Sequence, residues 1–269
     1  MDMLLRGGEY RKLGNIRRTI EPGEALFAPH FASKYKILPR DQWQGMESDE
    51  EIKSFIDACP IPSSDQNGIG ACGAYAAMMA IHHCRHKAGM PYAPLAAGRL
   101  YHRSGRGMDG GSQLGDNLKY AMDLGIPLFR DRRHELDYRS EWTDDEEDQG
   151  QDFRIYGAVD CPSFEALASA VQGPCDAVEH GILCGANYDV DSSGLWIRPQ
   201  RGSSGGHAQC TPGGGLCRRG DTWGLLVHGS WGKRFGYNGW YVVPEDYFRS
   251  TVFNDGWGVY AVAWKDGAS

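Results

Sequence analysis

Residues 65–88, DQNGIGACGAYAAMMAIHHCRHKA, join a glycine-rich loop to an alanine-rich run with a cysteine at the junction. In the loop, Gly68 and Gly70 let backbone approach a ligand closely. Beyond it, Ala76, Met79, Ala80 and Cys84 recur on one helical face, and Gly89 and Pro91 end the run. Cys72 therefore opens a helix. Unpaired N–H groups and the helix dipole favour a thiolate at such a position, and Gln66 offers a side-chain amide six residues upstream. Together these fit a nucleophile with an oxyanion hole. They fit equally well a small buried helix cysteine, the usual fate of a free thiol.

Outward from this segment, helices fill the first half and strands the second. Ser112 reads as the cap of a helix QLGDNLKYAMDLG that stops at Gly125, and residues 94–102 read as a further helical turn. The acidic run at 144–152 reads as a solvated loop, and Ser163 as the cap of a last helix, FEALASAVQ. Past residue 177 come short apolar runs punctuated by glycine: AVEHGILCG, SGLWIRP, TWGLLVHGSW, GWYVVP and WGVYAVAW. Such segregation predicts an α+β protein with a cleft between its halves. The expected organisation is an N-terminal arm or short prosegment at 1–37, a helical half at 38–155 and a β-rich half at 156–269.

Composition narrows the function. With 28 Lys and Arg against 35 Asp and Glu, a net charge of −7, no broad basic face for nucleic acid is expected. No apolar run reaches the roughly 18 residues of a membrane helix, and MDMLLRGGEYRKLG lacks a secretory core, so no membrane partner and no recognisable signal peptide are expected, with the location read as cytoplasmic or unknown. The eight cysteines form no paired CxxC knuckles, so neither a metal nor another cofactor is expected, and Cys210 and Cys217 are read as thiols. His82, His83 and His86 are read as solvated helix surface.

A histidine in SSGGHA, His207, follows Cys72 by about 135 residues, and an aromatic-glycine segment follows that. Here the chain resembles the papain-like cysteine proteases. QNGIGACGAYA resembles the family's Q-G-x-C-G-x-C-W-A block, GGHAQ its strand-borne histidine, and GSWGKRFGYNGWYVV its N-S-W-G-x-x-W-G-x-N-G-Y segment. The Cys-to-His spacing is similar to that of the family. The resemblance implies a helical left half and a β-barrel-like right half with an interdomain cleft, and a peptidase acting on peptide or protein substrates through a thioester acyl-enzyme. It assigns Cys72 as nucleophile, His207 as base and Gln66 as oxyanion donor. Gly110 and Gly111 would bind the substrate main chain, and Trp231 would shield the histidine.

Three positions depart from the pattern. Ile69 replaces a disulfide cysteine, Gly73 an aromatic residue, and Gly229 the asparagine that orients the imidazole. A backbone carbonyl or water could serve in its place, while His228 should face away from the cleft. The alternative function is a catalytically impaired papain-fold protein that binds extended peptides. The N-terminal arm is expected to interact with the cleft of its own chain.

Overall fold

The computed structural model describes residues 2–4, 10–15, 29, 31–106, 110–129, 141–173, 175–185, 188–198, 205–251 and 259–263. Two short strands, Asp2–Leu4 (β1) and Tyr10–Lys12 (β2), pair antiparallel. Phe31–Lys34 (α1) and Asp49–Ala58 (α2) precede the long helix Cys72–Lys87 (α3). Ala97–Ser104 (α4), Leu114–Asp123 (α5) and Asp144–Asp148 (α6) follow. Then come Gly157–Asp160 (β3), Phe164–Gln172 (α7), Ala177–Cys184 (β4), Gly205–Pro212 (β5), Leu216–Arg219 (β6) and Thr222–His228 (β7). Trp240–Pro244 (β8), Glu245–Thr251 (α8) and Val259–Ala263 (β9) complete the series.

Local chemistry explains the helix starts. Ser48 and Ser163 accept the backbone N–H groups of Glu51 and Ala166, each at 3.2 Å, satisfying orphan donors of α2 and α7. Gly125 adopts φ +71 and donates its N–H to the Tyr120 carbonyl, closing α5 as its position suggested. Ser112 is not the cap of α5. Gln113 holds that position, and the Ser112 hydroxyl instead accepts from Asn117 Nδ2 at 2.8 Å. The acidic run is likewise no loop. Thr143 and Glu146 form a reciprocal capping box that starts α6, where acidic side chains suit the N-terminal dipole, and Glu147 pairs with Arg99 and Arg103. No strand forms over residues 193–198 of SGLWIRP, where Trp196 and Ile197 make only isolated bridges; Pro199 lies outside the described residues.

β3, β9, β4, β5, β7 and β6 lie in that order in one antiparallel sheet, with β8 also paired to β7. Among the described residues it is an open sheet and not the barrel-like half expected, because β3 and β6 are not joined to each other. Alternation of side chains divides its burial. Ala208 and Cys210 of β5 join the helical core around α3, while Ile182, Leu225, Val227 and Tyr241 join the opposite core beneath α7. Sandwiched in this way, α3 is buried on every side from Cys72 to Arg85. His82 and His83 are therefore core residues, and only His86 is exposed as the sequence suggested. Phe31 is fully buried in the second core, so the body of the fold already includes α1.

Candidate active site

Cys72 stands at the first position of α3, after Ala71, whose side chain provides no cap. Its sulfur accepts the Ala208 N–H at 3.4 Å, which ties the start of α3 to β5 at the residue after His207. Burial pushes the thiol up from its usual range, and the N–H groups of Ala208, Gly14 and Gly73 pull in the opposite direction. Gly73 has no room for a larger residue: a Cβ there would meet the Asn117 amide, with the Ser112 hydroxyl at 3.0 Å. Asn117 links Ser112, at 2.8 Å, to Ser104, at 2.6 Å, in a buried polar network under the helix start. That network occupies the space beneath the helix start.

Gln66 is fully buried, and its amide is oriented from both ends. Ser230 donates its hydroxyl hydrogen to Oε1 at 2.6 Å, and the Gln66 N–H bonds the Ser230 carbonyl at 2.8 Å. One Nε2 hydrogen goes to the Ile69 carbonyl at 2.8 Å, which leaves the other for the cleft. Ser230 is absent from the residues the sequence pointed to. Its neighbour Trp231 was among them, and the indole lies flat against the His207 imidazole, with centroids 4.3 Å apart and planes 26° from parallel.

His207 is fully buried, and neither ring nitrogen has a hydrogen-bond partner among the described residues. It is therefore not bonded to Cys72 in this state. Burial, reinforced by His180, lowers its pKa to about 3 and keeps the ring neutral. His228, as expected, faces away from the cleft. It stacks on Trp240 with centroids 3.9 Å apart, and its Nδ1 meets His83 Nε2 at 3.2 Å.

The slot between these groups is filled by Lys12–Asn15. The Lys12 carbonyl accepts from Gln66 Nε2 at 3.1 Å, the Gly14 carbonyl from the Ser112 N–H at 2.7 Å, and the Asn15 N–H donates to the Gly206 carbonyl at 3.0 Å. Asn15 forms a parallel bridge with Ser112 and an antiparallel one with Gly206, so it lies as an extra strand between the two halves. Glycines make the fit possible. A Cβ on Gly14 would fall 2.6 Å from Gly70 Cα, and one on Gly111, at φ +69, only 2.7 Å from the Gly14 carbonyl carbon. Gly111 borders the slot, but its own N–H donates to the Tyr101 hydroxyl and its carbonyl accepts from Arg106. Main-chain pairing passes instead to Ser112. Gly110 is exposed and packs against Arg106 rather than the segment in the slot.

All eight cysteines are free thiols, with Cys210 and Cys217 both buried and unbridged. No cluster of three or more metal-ligating side chains occurs among the described residues, and no described helix is long and apolar enough to cross a membrane.

No family model and no curated protein matches this sequence. Solved structures do match. Xylellain, a cysteine protease from Xylella fastidiosa, shares 16% identity at a TM-score of 0.61, covering 98% of this chain and 100% of that one. Digestive procathepsin L 3 of Tenebrio molitor larval midgut gives 16% and 0.61, over 94% of this chain and 75% of that one. Procathepsin B S9 from Trypanosoma congolense gives 12% and 0.62, over 94% and 87%. The last two are proforms. With its central cysteine-bearing helix packed on an antiparallel sheet that carries the histidine, this chain has the fold of the papain-like cysteine proteases.

Proposed function

We propose that the chain is a papain-like cysteine peptidase held latent by its own residues Lys12–Asn15. The observation that carries this reading is the occupant of the slot. Extended main chain lies beside Cys72, with one carbonyl on the Gln66 amide and neighbouring groups paired to Ser112 and Gly206. A peptide substrate would use the same donors and acceptors, by strand addition.

With the arm displaced, water reaches the site and the desolvation that keeps Cys72 and His207 neutral is relieved. The thiol proton passes to the imidazole, giving a thiolate and an imidazolium. The thiolate attacks the substrate carbonyl carbon, and the oxygen gains its negative charge beside Gln66 Nε2 and the Cys72 N–H. Collapse of this adduct breaks the C–N bond, and His207 gives its proton to the leaving amine. Water, deprotonated by the neutral imidazole, then attacks the thioester carbonyl. The acid leaves, and the thiol and imidazole are regenerated. Trp231, stacked on the ring, keeps His207 on the cleft side of β5.

Eight free cysteines suit a reducing compartment, and a cytoplasmic site of action is part of the proposal. Gly229 is the feature that favours the second reading, a peptide-binding protein without turnover, because residue 229 supplies no side chain to the imidazole. A truncation lacking residues 1–28, which spares α1, separates the two. For the peptidase, an epoxide inhibitor labels Cys72 selectively, labelling requires His207, and a mixed peptide library is cleaved. Labelling spread over several thiols and indifferent to His207→Ala, with no cleavage, would refute it.

A further inference from the structure

A cavity of about 300 Å³ opens at the far end of α3, where α2 and the last turn of α3 meet the paired start of β4 and end of β5. At about 1.5 Å of rise per residue, Lys87 lies about 22 Å along the helix from Cys72, so this space is separate from the slot. Phe55, Ala58 and Pro212 give it an apolar wall, and His83, Lys87 and Asp176 border it with polar groups. Lys87 Nζ and Asp176 Oδ1 form an ion pair at 3.0 Å, and the lysine is half exposed. The Gly213 N–H donates to the Asp176 carbonyl at 2.8 Å, which fixes the aspartate backbone where the two strands end.

The third polar group is a lone pair, placed by a directed series of hydrogen bonds. A carbonyl only accepts, so the Ser63 hydroxyl gives its hydrogen to the Asn238 carbonyl. Ser63 Oγ then offers only lone pairs to His228 Nε2, 3.3 Å away, and that nitrogen carries the ring proton. Burial keeps both His228 and His83 neutral, and a neutral imidazole has a single N–H. His228 Nδ1 is therefore an acceptor, and His83 Nε2, at 3.2 Å, is its donor. His83 Nδ1 is left with a bare lone pair that no hydrogen bond of the described residues reaches. Nδ1 of His82 is sealed in the core, but this nitrogen of a residue only 4% exposed is open to the cavity that His83 borders. Buried acceptors are normally paired, so a ligand that enters here must bring a donor.

We propose that this cavity binds a free α-amino acid with an apolar side chain. The ammonium of the zwitterion meets two acceptors, the Asp176 carboxylate and His83 Nδ1. Its carboxylate meets Lys87, and its side chain lies against Phe55, Ala58 and Pro212. Ligand and ion pair then close a ring of four charges in which neighbours are opposite in sign. A simple amine would leave Lys87 facing a like charge, and a simple carboxylate would bring no donor to His83 Nδ1. A volume of about 300 Å³ is at the small end of ligand sites, as a single amino acid requires. This binding does not depend on turnover at Cys72.

The test is calorimetric titration of the full chain with L-leucine, for which saturable binding in the millimolar range is expected. N-acetyl-L-leucine lacks the ammonium and L-leucinamide the carboxylate. Each should bind about tenfold more weakly or worse, the order of one hydrogen bond to a charged group. Lys87→Met should produce the same loss for L-leucine. Ala58→Trp, at an exposed position, fills the apolar wall and should abolish binding with the unfolding midpoint unchanged. In nitrogen NMR of the labelled histidines, the unprotonated Nδ1 of His83 should shift as L-leucine is added. Absence of saturable binding, equal binding of the three ligands, or binding unchanged by Ala58→Trp would overturn the proposal.

Discussion

Gly14→Ala tests whether the segment in the slot is what holds the site closed. The added methyl would sit 2.6 Å from Gly70 Cα and closer still to the Gly70 carbonyl oxygen, against about 3.5–4.0 Å for comfortable contact. Neither atom is the end of a flexible side chain, so the loop cannot yield without moving the start of α3. The segment must therefore leave, and with it go the bonds of Lys12 to Gln66, Gly14 to Ser112 and Asn15 to Gly206. At about 1 kcal/mol net for each, roughly 3 kcal/mol of docking is lost. That corresponds to about a hundredfold rise in the open population, since about 1.4 kcal/mol is tenfold. The assay is the second-order rate of iodoacetamide alkylation at Cys72 in the full chain, read by peptide mass spectrometry. This rate follows the open fraction while reclosing is fast. A rate within twofold of the parent, with the unfolding midpoint unchanged, would refute the argument.

Two further outcomes follow from the same structure. Ser230→Ala removes the hydroxyl that fixes the Gln66 amide; in the opened protein it should lower kcat/KM about tenfold, while alkylation of Cys72, which needs no oxyanion donor, stays the same. Equal loss in both assays would mean that Ser230 acts on the thiol instead. Acid should unfold the protein early. His82, His83, His180 and His207 are held by burial at about 3, below their unfolded value of about 6.5. The stability they confer is complete above pH 6.5 and is lost as pH falls toward 3. Each loses about 1.4 kcal/mol per pH unit in that window, so within about two units the four together approach the whole stability of a typical domain. Circular dichroism should show unfolding between about pH 5.5 and 4, and an unchanged thermal midpoint from pH 7 to pH 4.5 would contradict the burial argument.

Much of the site is legible in sequence because its parts are local. A cysteine at a helix start, an amide in the preceding loop and a histidine in a glycine-flanked strand each sit in a segment whose conformation its own residues dictate. The capping box Thr143 to Glu146 was equally readable, yet the charge around it masked the signal. Ser112 misled for a related reason: a serine before a helix is a good cap only when nothing else claims its hydroxyl, and here Asn117 does. The burial of His82 and His83 could not be read from a helix alone, since it depends on β-strands more than 100 residues away.

By itself, then, the sequence determined a helical first half, a β-rich second half and the helix that Cys72 opens, while the resemblance to the papain-like proteases pointed to the base and the oxyanion donor. The elements follow from periodicity, capping and backbone sterics over a few residues. Tertiary structure alone decided that Lys12–Asn15 fills the slot, that Ser112 and not Gly111 offers the pairing N–H, and that Tyr241 occupies the space beside Gly229. Each of these is a contact between segments far apart along the chain, set by steric fit and by which hydrogen-bonding groups remain unspent when the sheet and α3 close on each other. No local pattern records that outcome.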